Sequence, residues 1–294
     1  MKKKKINKKR VLILFLIIAI VIVVIIKLNK KSGGTKETET DEQITEQVSN
    51  DNTTNENQTE KDENLVLEQK LQTGKKLSED GLPVLMYHFF YDKSKDSGKD
   101  GNWIEISNFE EQMKYLAEND FYFPTWEQVE NYIDGKQELP EKSIVITVDD
   151  GDPSFFELAV PIIQKYKIPT TSFVITYWYG NRANDKQDYV SYQSHSYDMH
   201  KAGSNGKGVM LSWDYDKIKD DILLSRDVLG GANIFCYPFG QYNDLDIKVL
   251  KENGYRLAFT TKGGRVKKGS SKYELPRVRI SGNTGISDFK KKVE

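Results

Sequence analysis

Cysteine and histidine are scarce in this chain: Cys236 is the only cysteine, and His88, His195 and His200 are the only histidines, in 294 residues. A single cysteine excludes an intramolecular disulfide framework. Its position, far from the N-terminus, also excludes a lipoprotein anchor. Three histidines cannot build a His-rich cage, so any metal chemistry must use nearly all of them. An excess of positive charge is missing as well, with 43 Lys+Arg against 44 Asp+Glu. Beyond the first 31 residues no region is basic enough to serve as a nucleic-acid footprint, and that class of partner is excluded. No internal repeat is evident.

The even balance conceals an uneven distribution. Residues 1–31 carry ten basic and no acidic side chains, whereas 32–80 carry five basic and thirteen acidic. The basic segment 1–10 is followed by sixteen unbroken apolar residues, Val11 to Ile26, and then by Lys27 and Leu28. No small-x-small cleavage site follows, which argues for an uncleaved anchor over a secretory signal. Sixteen helical residues span about 24 Å, and the apolar stems of Arg10 and Lys27 extend that reach toward a bilayer core of about 30 Å. The sequence therefore predicts a transmembrane signal anchor over 11–28. More basic residues precede the span than follow it, which places the N-terminus in the cytoplasm and the remainder outside. Residues 29–80 contain no aromatic side chain and read as a disordered acidic linker, too polar to offset the entropy of ordering.

From Gly81 to Glu294 strand-like apolar runs alternate with amphipathic helical ones. Strands are expected at 83–88, 143–148, 170–176, 233–237, 256–260 and 275–280. Helices are expected from capping boxes at Ser107 and Thr125, and over 155–166, 214–228 and 244–253. This order predicts an α/β architecture with a parallel sheet. His88, Asp149, Asp150, Tyr237 and Arg277 fall at or near the C-terminal ends of strands, where β/α barrels build their active sites. An open doubly wound sheet would do the same at its switch point, so the pattern favours a barrel only slightly.

Two segments carry chemistry. Asp149-Asp150-Gly151 closes a strand; alone, it reads most simply as a turn. Paired with other ligands, one carboxylate can hold a cation while its neighbour keeps a water within reach as base. His195 and His200 lie five residues apart in SHSYDMH. With Asp150 they would supply two imidazoles and one carboxylate, leaving open positions on a divalent ion. Zinc is the default, and the same ligands suit Fe²⁺ and other first-row ions. Adjacent Asp149 and Asp150 do not suit glycoside hydrolysis, which needs two carboxylates set across a sugar.

TVDDG (147–151), SHSYDMH (194–200), CYPFG (236–240) and LPRVRI (275–280), in that order, resemble the polysaccharide deacetylase family, the NodB-homology domain of carbohydrate esterase family 4. The opening PVLMYH (83–88) is similar to the branch containing Gram-positive cell-wall and surface-polysaccharide deacetylases. The resemblance implies a distorted (β/α) barrel over 81–294. It implies Asp149 as general base, and Asp150, His195 and His200 as ligands of a divalent metal, zinc by default. Tyr237 would lend its backbone N–H to the oxyanion, Pro238 and Phe239 would line the groove, and Arg277 would hold Asp149 ionised. Tyr242, Trp178 and Tyr179 are aromatic residues that could stack on sugar rings. The family's late Leu-x-His motif is absent, since no histidine follows Ile280. His88 is the one imidazole left over, and it either serves at the site rim as proton donor or makes a local hydrogen bond. Cys236 reads as a buried core thiol.

The sequence reading is thus a membrane-anchored extracellular deacetylase, monomeric, acting on an N-acetylated glycan such as peptidoglycan or poly-N-acetylglucosamine. The competing reading is a polysaccharide-binding protein that keeps the metal site but catalyses weakly.

Overall fold

The computed structural model describes residues 65–294 except 73, 97, 99 and 205. The segments 1–10 and 11–28, and the linker as far as 64, lie outside the described residues. Among those described, no helix is long and apolar enough to cross a membrane.

Nine strands are described: β1 (Val84–Tyr87), β2 (Phe89–Tyr91), β3 (Trp103–Glu105), β4 (Val145–Asp150), β5 (Thr170–Val174), β6 (Val190–Ser194), β7 (Ile234–Cys236), β8 (Leu257–Gly263) and β9 (Leu275–Arg279). Seven of them close a parallel barrel in the order β1-β4-β5-β6-β7-β8-β9, with β9 pairing back onto β1. The short parallel pair β2-β3 stands outside it. The expected barrel is present, with seven strands. Every residue of β4 and β5 is buried, as a parallel sheet covered on both faces requires.

Period-two alternation sorts the side chains and thereby sets the site. Leu85, Tyr87, Ile146 and Val148 pack outward with Phe109, Met113 and Leu116 of the helix Ile106–Glu118. Val84, Val145, Phe173, Ile234, Cys236, Leu257, Phe259 and Leu275 form a separate cluster on the inner side. On β4 the inward parity continues from Val145 through Thr147 to Asp149. On β9 it runs from Leu275 to Arg277. A buried arginine and a buried carboxylate are therefore delivered to the same interior space by strands 128 residues apart.

Several helices differ in detail from the sequence expectation. The first expected helix begins at Ile106, and Glu105, not Ser107, caps it by accepting the Ser107 N–H. Thr125 and Gln128 do form the expected capping box. Over 155–166, the stretch Phe155–Ala159 winds as a π-turn before the α-helix Val160–Tyr166. Pro161 has no N–H for the Glu157 carbonyl, and the wider turn relieves the clash its ring would otherwise make there. The strand β6 and the helix Ile286–Val293 are additional to the elements expected from the sequence. Residues 65–72, assigned from sequence to the linker, are helical, and Leu67 is buried in the inner cluster with Leu82 and Val129. Backbone bonds from Leu77 to Leu139 and from Glu141 to Lys75 tie the following residues down. The folded part accordingly starts before Gly81, because Leu67 is buried and Leu71 and Leu77 pack against the same cluster.

Candidate active site

Asp149 and Asp150 end β4, and the chain leaves the strand by a turn in which Asp150 has φ 74° and Gly151 has φ 75°. A left-handed aspartate is costly, of order 1–3 kcal/mol, and such strain concentrates at functional sites. The turn separates the two carboxylates. Asp149 stays with the barrel interior, and Asp150 faces the loop that follows β6.

His195 is the first residue after β6 and is buried, whereas His200 is half-buried. Asp150 Oδ1 lies 3.4 Å from His195 Nε2 and 3.6 Å from His200 Nε2. These three ligand atoms all fall within 4.8 Å of one another. His195 Nδ1 is 2.7 Å from the Cys236 carbonyl oxygen. That contact fixes the tautomer with the proton on Nδ1 and leaves the Nε2 lone pair free. Asp150 Oδ1 is buried with no hydrogen-bond partner among the described residues. An unsatisfied buried carboxylate oxygen between two imidazole nitrogens fits a cation and is costly without one. The three donors, one oxygen and two nitrogens, suit zinc or another first-row divalent ion. Burial pushes the His200 pKa down to about 4, which keeps it a neutral ligand at ordinary pH.

Asp149 is held from the other side. Arg277 donates from Nη1 to Oδ1 at 2.7 Å and from Nη2 to Oδ2 at 2.6 Å, a bidentate pair in the barrel interior. Arg277 is itself pinned by donation from Nε to the Thr260 carbonyl at 3.0 Å and from Nη1 to Thr147 Oγ1 at 3.1 Å. Burial alone would raise the Asp149 pKa; the guanidinium overrides it and holds the carboxyl well below the usual carboxylate range. His88, one residue past β1, brings Nε2 to 3.8 Å from Asp149 Oδ2, too far for a hydrogen bond but within the same site. Burial lowers the His88 pKa, with the Asp149 charge opposing. Cys236 is fully buried, as expected, with its sulfur 3.1 Å from Arg277 Nη2.

The sequence-predicted residues Asp149, Asp150, His195, His200, Arg277 and His88 are thus brought together. The segment after β7 requires a correction. The Tyr237 N–H, expected to face an oxyanion, donates to the Phe259 carbonyl at 3.0 Å, because it extends the β7–β8 ladder by one residue. Pro238 has no N–H and is buried. Phe239 is the next donor. It has φ 59°, its ring lies 4.3 Å from that of His200, and its N–H has no hydrogen-bond partner among the described residues. Gly240 completes the turn at φ 68°, where a Cβ would meet Thr261 Oγ1 at 2.1 Å, so only glycine fits. Tyr242 stacks on Tyr237 at 4.7 Å and donates to Glu274 Oε1 at 2.8 Å, which ties it into local packing. Trp178 is half exposed and meets His200 edge-on at 6.3 Å.

Comparison with known proteins follows the same lines. Residues 136–258 match the family model described as polysaccharide deacetylase. A poly-beta-1,6-N-acetyl-D-glucosamine N-deacetylase of Staphylococcus aureus is 29% identical over 212 residues, covering 66% of this chain and 72% of its own length. The Staphylococcus epidermidis protein of that name is 27% identical over 197 residues, covering 60% and 68%. Among solved structures, the Streptococcus pyogenes deacetylase PplD has the same fold, with a TM-score of 0.63 and 23% identity over 75% of this chain and 99% of its own. IcaB from Ammonifex degensii superposes with a TM-score of 0.62 and 25% identity over 74% and 98%. Four ordered motifs and a seven-stranded parallel barrel agree with this likeness, and residues 136–258 resemble a polysaccharide deacetylase domain.

Proposed function

We propose that this chain is a metal-dependent hydrolase that removes acetyl groups from N-acetylated sugars of a glycan polymer. The observation that carries the reading is the meeting of Asp150, His195 and His200 around one unsatisfied oxygen, with the Arg277-bound Asp149 at their side. Asp150 Oδ1 and the Nε2 atoms of His195 and His200 would hold the ion. When bound, a divalent cation would polarise the acetamide carbonyl and acidify a water molecule.

The remaining work belongs to the chain's own side chains. Asp149, kept ionised by Arg277, accepts the proton of the attacking water. The Phe239 N–H is the backbone donor left for negative charge developing on the carbonyl oxygen. The proton must then reach the sugar nitrogen as the C–N bond breaks, leaving acetate and a free amine. His88 is assigned that delivery, since its Nε2 stands 3.8 Å from Asp149 Oδ2 and no histidine follows Ile280. The same proximity favours an enzyme over a weakly catalytic binding protein, whose chief support was the missing late histidine.

The relatives' names make poly-β-1,6-N-acetylglucosamine the first polymer to assay; peptidoglycan, the other glycan expected from the sequence, is the second. Acetate release from each should occur with the wild-type chain and fall by at least about 10³-fold in Asp149→Asn. Polymer binding without acetate release in the wild type would support the binding-protein reading. From the sequence alone we further propose that 11–28 anchors the chain in the cell membrane, with the domain outside. Protease accessibility of the domain on intact cells tests this.

A further inference from the structure

The helix Tyr215–Val228 buries Ile218, Asp221, Ile222 and Ser225 along one face. Two of these four are polar, and both reach the segment that carries His195 and His200. Asp221 Oδ1 accepts the Tyr197 N–H at 2.7 Å, and Oδ2 accepts the Asp198 N–H at 2.8 Å. One helical turn on, Ser225 Oγ lies 2.7 Å from Ser194 Oγ, which also accepts the Ser196 N–H at 3.2 Å. The segment between the histidines is otherwise irregular: Ser196 has φ 72°, and its hydroxyl accepts the Met199 N–H at 3.2 Å.

We propose that Asp221 is a positioning residue for the cation site, a carboxylate template that sets the spacing of His195 and His200. The inference rests on the metal-site reading above. Two oxygens of one buried carboxylate match two successive backbone N–H groups, so the loop cannot slide along the helix without losing both bonds. An asparagine there offers one acceptor and one N–H₂, and the latter would face a backbone donor. Asp221 touches neither substrate nor ion; it acts through the loop. Removing a group bonded directly to a metal ligand changes metal affinity by about 10–100-fold, and a group that acts through the loop between two ligands should fall toward the lower end of that range.

The test uses the full chain in detergent, wild type against Asp221→Asn and Ser225→Ala. Zn²⁺ affinity is measured by competition with a chromophoric chelator, the visible spectrum of the Co²⁺-loaded protein is recorded, and the metal-free fold is checked by circular dichroism. Asp221→Asn should weaken Zn²⁺ binding about 10-fold, alter the Co²⁺ spectrum and regain acetate release at high metal concentration. Ser225→Ala should shift affinity in the same direction by a smaller factor, and it stands in should Asp221→Asn fail to fold. Affinities within twofold of wild type and an unchanged Co²⁺ spectrum in the folded variants overturn the role of Asp221 alone. A wild type that binds no divalent ion overturns the metal-site reading, and the inference with it.

Discussion

Arg277 Nη2 lies 2.6 Å from Asp149 Oδ2, and both residues are almost wholly shielded from solvent. Removing one member of a buried pair strands the other, at a cost of about 3–5 kcal/mol. Arg277→Met should therefore destabilise the fold by that order. It should also release the Asp149 pKa upward, because burial would then act unopposed. The sign follows directly: a base with a higher pKa is protonated at higher pH, so the acid limb of the kcat/KM profile moves up. A pH–rate profile of Arg277→Met against wild type checks this, and an unmoved acid limb would show that Arg277 does not govern the base.

His88 tests the proton-delivery step separately. His88→Ala should lower kcat by about 10²–10⁴-fold, the usual contribution of a general acid. Zn²⁺ affinity should stay near wild type, since His88 is not among the three grouped donors Asp150, His195 and His200. Parallel acetate-release and metal-competition measurements separate the two effects. Equal turnover in the variant would assign His88 to local hydrogen bonding.

Metal removal addresses the unsatisfied oxygen of Asp150. Anything that binds the folded chain and not the unfolded one raises stability by mass action. A chelator should lower the melting temperature of the wild type, and added Zn²⁺ should restore it. Asp150→Ala should lose that response, since the donor shared by His195 and His200 is gone. Thermal melts with and without chelator decide the matter, and a metal-independent wild type would count against the site.

The residues that made the site readable were those whose chemistry is concentrated in short motifs. Asp149 and Asp150 follow a β-branched strand, and two of three histidines sit five residues apart, so strand ends and rarity sufficed to group them. What escaped depended on three-dimensional pairing. Which amide after β7 remains free is decided by how far the β7–β8 ladder runs, and it runs one residue beyond the strand, through Tyr237. Asp221 lies in YDKIKDDILLSRDV, where it is one of seven charged residues and nothing in its own type sets it apart. The available signal was its i, i+4 relation to Ser225 on the face that also carries Ile218 and Ile222. The strand β6, VSYQS, has no apolar run because only Ser194 of it is buried; its pairing with β5, not its own composition, makes it a strand. Leu67 was hidden by the polar residues around it.

A last prediction concerns pH and stability away from the site. Asp246 is buried, Oδ2 accepts the Asn243 N–H at 2.8 Å, and Oδ1 has no hydrogen-bond partner among the described residues. Burial pushes its carboxyl up to about 6, against an usual value of about 3.9 in an unfolded chain. Between these values the folded state binds the proton and the unfolded state does not. The contribution of Asp246 to stability is thus fully present below about pH 4 and is lost as pH rises through 6. Asp221, also raised to about 6, adds a slope of the same sign, so the wild-type curve alone cannot isolate either group. Asp246→Asn keeps an acceptor for Asn243 and cannot titrate. The stability difference, wild type minus variant, should therefore decline from pH 4 to 6.5 and then level off. Denaturant melts at half-unit pH steps measure it, and a flat difference would mean that Asp246 is already ionised in the folded protein.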